Sequence, residues 1–167
     1  RDLPSPHRSP NAQRRFGLAG AVPVVTRWAW RGLDVFWVDA VGNAGAMRIM
    51  LVAPLWYPVP PVGYGGIELV VALLAQEFER YGHDVTVVAS GGSSPGVRLR
   101  SPFASPPDPA LIGNGAYEAY HALSAYAETH GVDIIHDHSG CVSAAIASRD
   151  PSLPPVVHTL HGPWTPE

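Results

Sequence analysis

The chain has 167 residues, of which 46% are hydrophobic, and a formal net charge of −3. This length and composition predict a single globular domain with a core of its own, and they exclude wholesale disorder and a chain-wide basic surface for nucleic acid. The single cysteine excludes an internal disulfide framework, and the absence of lysine excludes Schiff-base chemistry and a Walker-type phosphate site.

The first 46 residues differ in composition from the rest of the chain. They carry six Arg and three acidic residues, whereas residues 47–167 carry five Arg and eleven acidic residues. Proline with scattered Ser and Arg at the start is typical of a disordered segment. We therefore expect residues 1–46 to be a poorly structured extension, in which the aromatic residues between Trp28 and Trp37 indicate a short strand or helix. A twin-arginine export signal is the less favoured interpretation.

From Met47 onward, predicted strands alternate with predicted helices. Short apolar runs are typical of strands buried on both faces of a sheet, and apolar residues at a 3.6-residue period are typical of helices. The predicted strands are 48–54, 84–89, 97–100, 132–136 and 155–160, and the predicted helices are 66–81, 116–130 and 140–148. This alternation predicts an α/β fold, in which a parallel sheet carries helices on both faces.

The first candidate site is the glycine loop, residues 55–66, which ends in the sequence PPVGYGG. Gly65 and Gly66 allow a ligand to approach the backbone, and the helix that follows offers unpaired N–H groups to an anion. The spacing lacks the third glycine of the dinucleotide-binding fingerprint. The same glycines also suit a plain tight turn, with Glu68 complementing the helix dipole, and the spacing alone leaves both interpretations open.

Histidines follow the last two predicted strands. His136-Asp137-His138-Ser139 ends one strand, and His161-Gly162 ends the next, so both lie at the carboxyl edge of the sheet. One interpretation is a polar loop in which Asp137 caps the following helix or orients a histidine. The other is a metal site that would also use His158 or His161 as a ligand. We favour the polar loop. We predict that His158 is packed in the core. His161 is predicted to be exposed, where it suits hydrogen bonding to a substrate hydroxyl or proton handling.

Three motifs, in order, resemble those of the family-four glycosyltransferases. The resemblance begins with MRIMLVAPLWYPVPPVGYGGIELVVALLAQEFERYGHDVTVVAS and continues through VDIIHDHSG and PVVHTLHGP. It covers residues 47–167 and is to bacterial members that carry a PPVGYGGIE loop. It implies that residues 47–167 are the Rossmann-like N-terminal half of a two-domain GT-B enzyme. We therefore expect the chain to be truncated, without the C-terminal domain that binds the donor nucleotide.

The resemblance implies retaining transfer of a sugar from a nucleotide-sugar donor to an acceptor hydroxyl. It implies no metal or other cofactor and a cytoplasmic location. Gly65 and Gly66 match the loop that approaches the donor diphosphate, and His161 matches the histidine that contacts the donor sugar. Other residues placed in the cleft are Tyr64, Glu68, His136, His138 and Gly162. Some relatives have Thr or Ser in place of Gly162 to contact a phosphorylated acceptor, so such an acceptor is not supported.

Two other function classes stay open. One is a non-catalytic sugar- or nucleotide-binding module that uses the glycine loop, and the other is a metal-dependent hydrolase that uses His136, His138 and His161. No run approaches the roughly 18 apolar residues of a membrane span, so we expect no transmembrane segment, although peripheral membrane contact fits the sequence. The expected partners are a nucleotide-sugar donor and an acceptor of undefined identity, with no nucleic acid.

Overall fold

A computed structural model of the chain describes residues 24–30, 33–39 and 45–162. The chain divides between Gly45 and Ala46 into two units. In the first unit, strand β1 (Val24–Trp30) pairs with the antiparallel strand β2 (Leu33–Asp39). The aromatic segment therefore forms strands, which is one of the two structures that its sequence indicated. The other residues of the extension lie outside the described part, and its small contribution to the fold stays a prediction.

The second unit is built on a five-stranded parallel sheet with the strand order β5-β4-β3-β6-β7. Its strands are β3 (Arg48–Val52), β4 (Asp84–Val88), β5 (Arg98–Arg100), β6 (Ile134–Asp137) and β7 (Val156–His158). Its helices are α1 (Gly66–Arg80), α2 (Gly115–Tyr126) and α3 (Cys141–Ala147), with a short 3-10 helix at Pro109–Leu111. The predicted α/β, Rossmann-like fold class is confirmed.

The central strand β3 is buried on both of its faces. Ile49 and Leu51 belong to a core cluster that includes buried residues of α1, whereas Met50 and Val52 belong to a second cluster with residues of α2 and α3. Successive side chains of a strand point to opposite faces of a sheet, so α1 covers one face and α2 and α3 cover the other. This two-sided burial explains why the strand is a continuous apolar run rather than an alternating one.

The observed strands begin and end within two residues of their predicted bounds, but α2 ends at Tyr126 rather than at residue 130. The last carbonyl groups of a helix need partners outside it. Arg100 of β5 donates Nη2–H to the carbonyl of Ser124 at 3.2 Å and Nη1–H to that of Glu128 at 2.8 Å. This contact with a distant strand satisfies carbonyl groups at and just beyond the helix end.

Deletion of residues 1–46 is expected to leave the melting temperature of the second unit within a few degrees of that of the whole chain. The reason is that the described core clusters and the five-stranded sheet are formed by residues from Met47 onward. Thermal melts of the whole chain and of residues 47–167, followed by circular dichroism, measure this difference. A large loss of stability would show instead that Trp28, Trp30 or Trp37 packs into the core.

Candidate functional site

The strand order of the sheet reverses direction between β3 and β6, and we use the word crevice for the region at the carboxyl ends of these two strands. From β3 the chain passes outward through β4 to β5, and it then returns to β6 on the other side of β3. Such a reversal of strand order leaves space at the carboxyl ends of the two neighbouring strands, and open α/β sheets bind their ligands there. The glycine loop follows β3 and the HDHS motif follows β6, so the topology brings both predicted motifs to this crevice.

The glycine loop is fixed to the loop that follows β4. Ser90 Oγ donates to the carbonyl oxygen of Tyr57 at 3.0 Å, and the N–H of Val59 donates to Ser93 Oγ at 2.9 Å. The N–H of Ser94 donates in turn to the carbonyl oxygen of Val59 at 2.6 Å. The side chain of Val59 is fully buried, so the middle of the loop is anchored both by polar contacts and by packing.

The two glycines at the start of α1 differ in what surrounds them. Gly65 has a φ of +143°, and a Cβ at this position would lie 2.5 Å from Cβ of Pro61, so the loop conformation itself requires glycine there. Gly66 is the first residue of α1, and a Cβ added to it would meet no atom within 4 Å. The open side of the backbone, where a ligand has room to approach, is therefore at Gly66.

Two side chains beside these glycines have opposite exposure. The Tyr64 side chain is 80% exposed, and its ring lies edge-on to the ring of Tyr57 with the centroids 5.6 Å apart. Glu68, the third residue of α1, is buried, and burial raises the pKa of its carboxyl group. Tyr64 thus offers an aromatic surface to solvent, whereas Glu68 lies under the loop at the positive end of the helix.

The HDHS motif is held by a network of hydrogen bonds to one carboxylate, which we call the Asp137 network (Tyr126, Asp137, Ser139 and Ser143). Asp137 is fully buried and accepts from Tyr126 Oη at 2.5 Å. It also accepts from the N–H and Oγ of Ser139, each at 2.7 Å, and from Ser143 Oγ at 3.0 Å. These contacts support the interpretation of a polar loop ordered by Asp137. The predicted cap is wrong, because the N-cap residue of α3 is Gly140 and no side chain caps the helix.

Three histidine rings pack in a row above this network. The ring of His138 lies 4.2 Å from that of His136 and 5.1 Å from that of His161, measured between centroids. Nδ1 of His138 is 2.8 Å from Nε2 of His161, and Nε2 of His136 is 2.8 Å from Oγ1 of Thr159. His161 is exposed, as predicted, while His138 is buried. The pairing of β6 with β7 brings these residues together across 23 positions of sequence.

His158 and His161 lie in different environments although they are three residues apart. His158 is only partly exposed, and its Nδ1 is 3.8 Å from the Asp137 carboxylate, which agrees with its predicted packed position. It also lines a cavity of about 300 Å³ beside α3, together with Ala147 and Val156. Gly162, next to His161, is exposed at the end of the described chain.

Sequence reasoning missed a fully buried histidine on α2. Nε2 of His121 is 2.8 Å from the carbonyl oxygen of Ala53, the residue that follows β3. Because a carbonyl only accepts, His121 carries its proton on Nε2 and joins α2 to the residue that follows β3, two positions before the glycine loop. The helical period could have predicted this burial, because His121 lies one residue before Ala122 and four before Ala125, which are also buried in the helix.

Burial lowers the pKa of three of these histidines. It is the main cause for His121, His136 and His138, and for His138 the neighbouring histidines add to it and bring the pKa to about 4. All three are therefore neutral in the folded protein near pH 7. These neutral imidazoles form hydrogen bonds within the protein without placing a positive charge at the carboxyl edge of the sheet.

We expect the stability of the chain to fall as the pH is lowered from about 6.5 to 5. In the unfolded chain, histidines take up protons as the pH falls below about 6.5, whereas these folded histidines resist protonation. The protons that only the unfolded state binds stabilise that state, so the free energy of unfolding falls. The expected loss is on the order of 1–3 kcal/mol at pH 5. Thermal melts from pH 7.5 to 5 measure it.

His138→Gln is expected to reduce this pH dependence, and His130→Gln, a change at an exposed position, is expected to leave it unchanged. Glu68 acts in the opposite direction from the histidines, because its raised pKa lets the folded protein take up a proton at a higher pH than the unfolded chain does. A flat stability profile between pH 7.5 and 5 would contradict the burial of neutral histidines.

The histidine row does not have the geometry of a metal site. Within the described residues 45–162, no group of three or more His, Cys, Asp or Glu side chains is arranged to hold a metal ion. His138 and His161 direct their facing nitrogens at each other, and His136 directs Nε2 at Thr159. The structure therefore offers no support for the hydrolase alternative, and the independence of the protein from metals stays a prediction.

Comparison with protein families gives one match. The model described as Glycosyltransferase Family 4 matches residues 64–167, which is more than half of the chain. The matched region begins at Tyr64 in the glycine loop and contains the HDHS motif, His161 and Gly162. No curated protein matches the chain.

Proposed function

The chain belongs to glycosyltransferase family 4, and we propose that residues 47–167 form the N-terminal domain of a two-domain GT-B enzyme. This enzyme transfers a sugar from a nucleotide-sugar donor to an acceptor hydroxyl with retention at the anomeric carbon. The observation that carries the proposal is that Gly66, with open space beside it at the start of α1, and the exposed His161 both lie at the carboxyl edge of the sheet.

The start of α1 suits the leaving group of this reaction. Cleavage of the bond between the sugar and the diphosphate leaves an anion, and the chain has no lysine to neutralise it. Backbone N–H groups and the dipole at the N-terminus of a helix stabilise such an anion without a cationic side chain. Because no side chain crowds Gly66, the diphosphate has direct access to this backbone.

His161 suits the donor sugar rather than the leaving group. It is exposed at the end of β7, and one ring nitrogen is already paired with His138. Among the described residues, the other nitrogen has no hydrogen-bond partner, so it can form a hydrogen bond with a sugar hydroxyl. Such a bond orients the sugar while positive charge develops on the anomeric carbon, so we assign His161 an orienting role and not that of a nucleophile.

The proposed cleft needs a second wall. The domain provides the glycine loop and the histidine row on one side, and we propose that a C-terminal domain binds the donor nucleotide on the other. Residues 47–167 alone are therefore expected to transfer no sugar. The test is an assay of the complete two-domain enzyme and of residues 47–167 against a panel of nucleotide-sugars, with the anomeric configuration of the product determined by NMR. Turnover by residues 47–167 alone, or an inverted product, would contradict the proposal.

The same assay separates transfer from the alternative of a non-catalytic binding module. A binding module would retain nucleotide-sugar in equilibrium dialysis and release no nucleoside diphosphate over time. Within the described residues, no helix has both the length and the apolar character to cross a membrane. The cytoplasmic location and peripheral membrane contact stay predictions from the sequence.

Gly66→Val in the two-domain enzyme is expected to lower kcat/KM for the donor by about 10- to 100-fold, because the added side chain occupies the space through which the diphosphate reaches the backbone. The melting temperature should change by no more than a few degrees, since a Cβ there meets nothing. Steady-state kinetics and thermal melts measure the two effects.

Gly115→Val is the matched control for this prediction. Gly115 is the first residue of α2, it is exposed, and a Cβ added to it also meets no atom within 4 Å. The control should keep both stability and donor use. If Gly66→Val and Gly115→Val were equally active, the diphosphate would not approach the backbone at Gly66.

A further inference from the structure

We propose that His138 is a positioning residue that holds His161 in the tautomer with the proton on Nδ1, so that this N–H is the group offered to the substrate. The proposal rests on the proposed function for the role of that N–H, but the tautomer itself is a property of the chain alone. It assigns a task to a buried side chain that has no direct access to the ligand.

The two ring nitrogens of His161 differ in their contacts within the described residues. Nε2 of His161 is 2.8 Å from Nδ1 of His138, so this nitrogen is already used within the protein. A hydrogen bond between two imidazole rings needs an N–H on one ring and a lone pair on the other. Because His161 is exposed, Nδ1 is the ring nitrogen left for a ligand.

The burial of His138 determines the direction of its hydrogen bond with His161. His138 is buried, with its pKa lowered to about 4, so its ring is neutral and has a single N–H. Its Nε2 is buried and has no hydrogen-bond partner among the described residues. If Nδ1 accepted the bond from His161, the proton of His138 would be on Nε2, and a buried N–H would lack an acceptor. Buried N–H groups without a partner are rare, so we assign the proton to Nδ1 of His138, which donates it to Nε2 of His161.

Backbone hydrogen bonds and ring packing hold His138 in place. The backbone N–H of His138 donates to the carbonyl oxygen of Val52 at 2.8 Å, and this bond attaches the residue to the central strand β3. The residues before and after it are joined by the bond from the N–H of Ser139 to Asp137. The ring of His136 packs against one side, with the centroids 4.2 Å apart. The orientation of Nδ1 is therefore fixed before any substrate binds.

The consequence is a defined polarity at the crevice. With its proton on Nδ1, His161 donates a hydrogen bond to an oxygen lone pair of the sugar. The opposite tautomer would accept a hydrogen bond from a hydroxyl instead. A donor of fixed position favours one orientation of the sugar over others, and the energy needed to select the tautomer is supplied when the protein folds.

The experiment is a long-range ¹H–¹⁵N correlation spectrum of the whole chain, labelled with ¹⁵N-histidine, at pH 7.5 and without ligand. We expect His161 to show a protonated, pyrrole-type Nδ1 and an unprotonated, pyridine-type Nε2. A protonated Nε2 on His161 in the unmodified chain would overturn the proposal. Since no donor or acceptor is added, this outcome is independent of the glycosyl-transfer assay.

Two variants test the role of His138 and one serves as the control. His138→Phe keeps a planar ring but has no hydrogen-bond donor. In this variant, the ¹⁵N chemical shifts of His161 should move towards those of a mixed tautomer population. In His138→Gln, whose amide can still donate, they should stay nearer to those of the unmodified chain. Thr159→Val removes the partner of His136 and should change the signals of His136 but not those of His161. An unchanged His161 tautomer in a folded His138→Phe variant would overturn the proposal. If that variant does not fold, the His161 tautomer in the spectrum of the unmodified chain is the deciding test.

Discussion

Asp137→Ala is expected to lower the free energy of unfolding by about 3–5 kcal/mol, the largest loss of stability that we predict for a single side chain of this domain. The carboxylate is fully buried and accepts four hydrogen bonds, two of which come from Ser139. Its removal leaves the hydroxyl groups of Tyr126 and Ser143 in the core without this acceptor. For a domain of this size we expect a fall in melting temperature of about 10–20 °C.

Asp150→Ala is a matched control for this change. Asp150 also accepts from the N–H and Oγ of a serine two residues later, Ser152, at 3.0 and 2.5 Å, but it is exposed. Water can replace the lost acceptor at Asp150, so its replacement should move the melting temperature far less than that of Asp137. Equal effects of the two substitutions would show that the buried network does not stabilise the fold beyond an ordinary surface turn.

His161→Ala in the two-domain enzyme is expected to lower kcat/KM by about ten- to several-hundredfold, with little change in the melting temperature. The substitution removes one hydrogen bond to the sugar in a closed site, which corresponds to about 1–4 kcal/mol of transition-state binding. His161 is exposed in the domain, so its removal leaves no cavity in the core. Steady-state kinetics with the active nucleotide-sugar and thermal melts separate the two effects.

His158→Ala should give the opposite pattern. His158 is packed between the Asp137 network and α3, so we expect its loss to reduce stability more than activity. If His161→Ala kept full activity while His158→Ala lost activity with an unchanged melt, the wrong histidine would have been assigned to the cleft. Such a result would also overturn the orienting role of His161.

The sheet and the helix that carries the glycine loop were predictable from the sequence for a physical reason. Strand β3 is buried on both faces and therefore consists of consecutive apolar residues, and α1 has one buried face and therefore shows the helical period. The exposure of His161 was also predictable, because it follows a strand and precedes a glycine. In each case the local pattern and the tertiary environment agree.

The contacts that the sequence did not reveal join elements that are distant along the chain. The bond of His138 to His161 depends on the pairing of β6 with β7, and that of His121 to Ala53 depends on the packing of α2 beside β3. Likewise, the carbonyl groups at the end of α2 are paired with Arg100 of another strand. Local periodicity contains no information on such pairs, which only the strand order brings together.

The attachment of the glycine loop to the loop after β4 has a consequence for affinity. A flexible binding loop loses conformational entropy when a ligand orders it, and that loss weakens binding. Here the contacts of Ser90, Ser93 and Ser94 with the glycine loop have already ordered its middle during folding. We therefore expect a ligand that arrives at Gly66 to meet a preorganised surface, with most of its interaction energy available for binding.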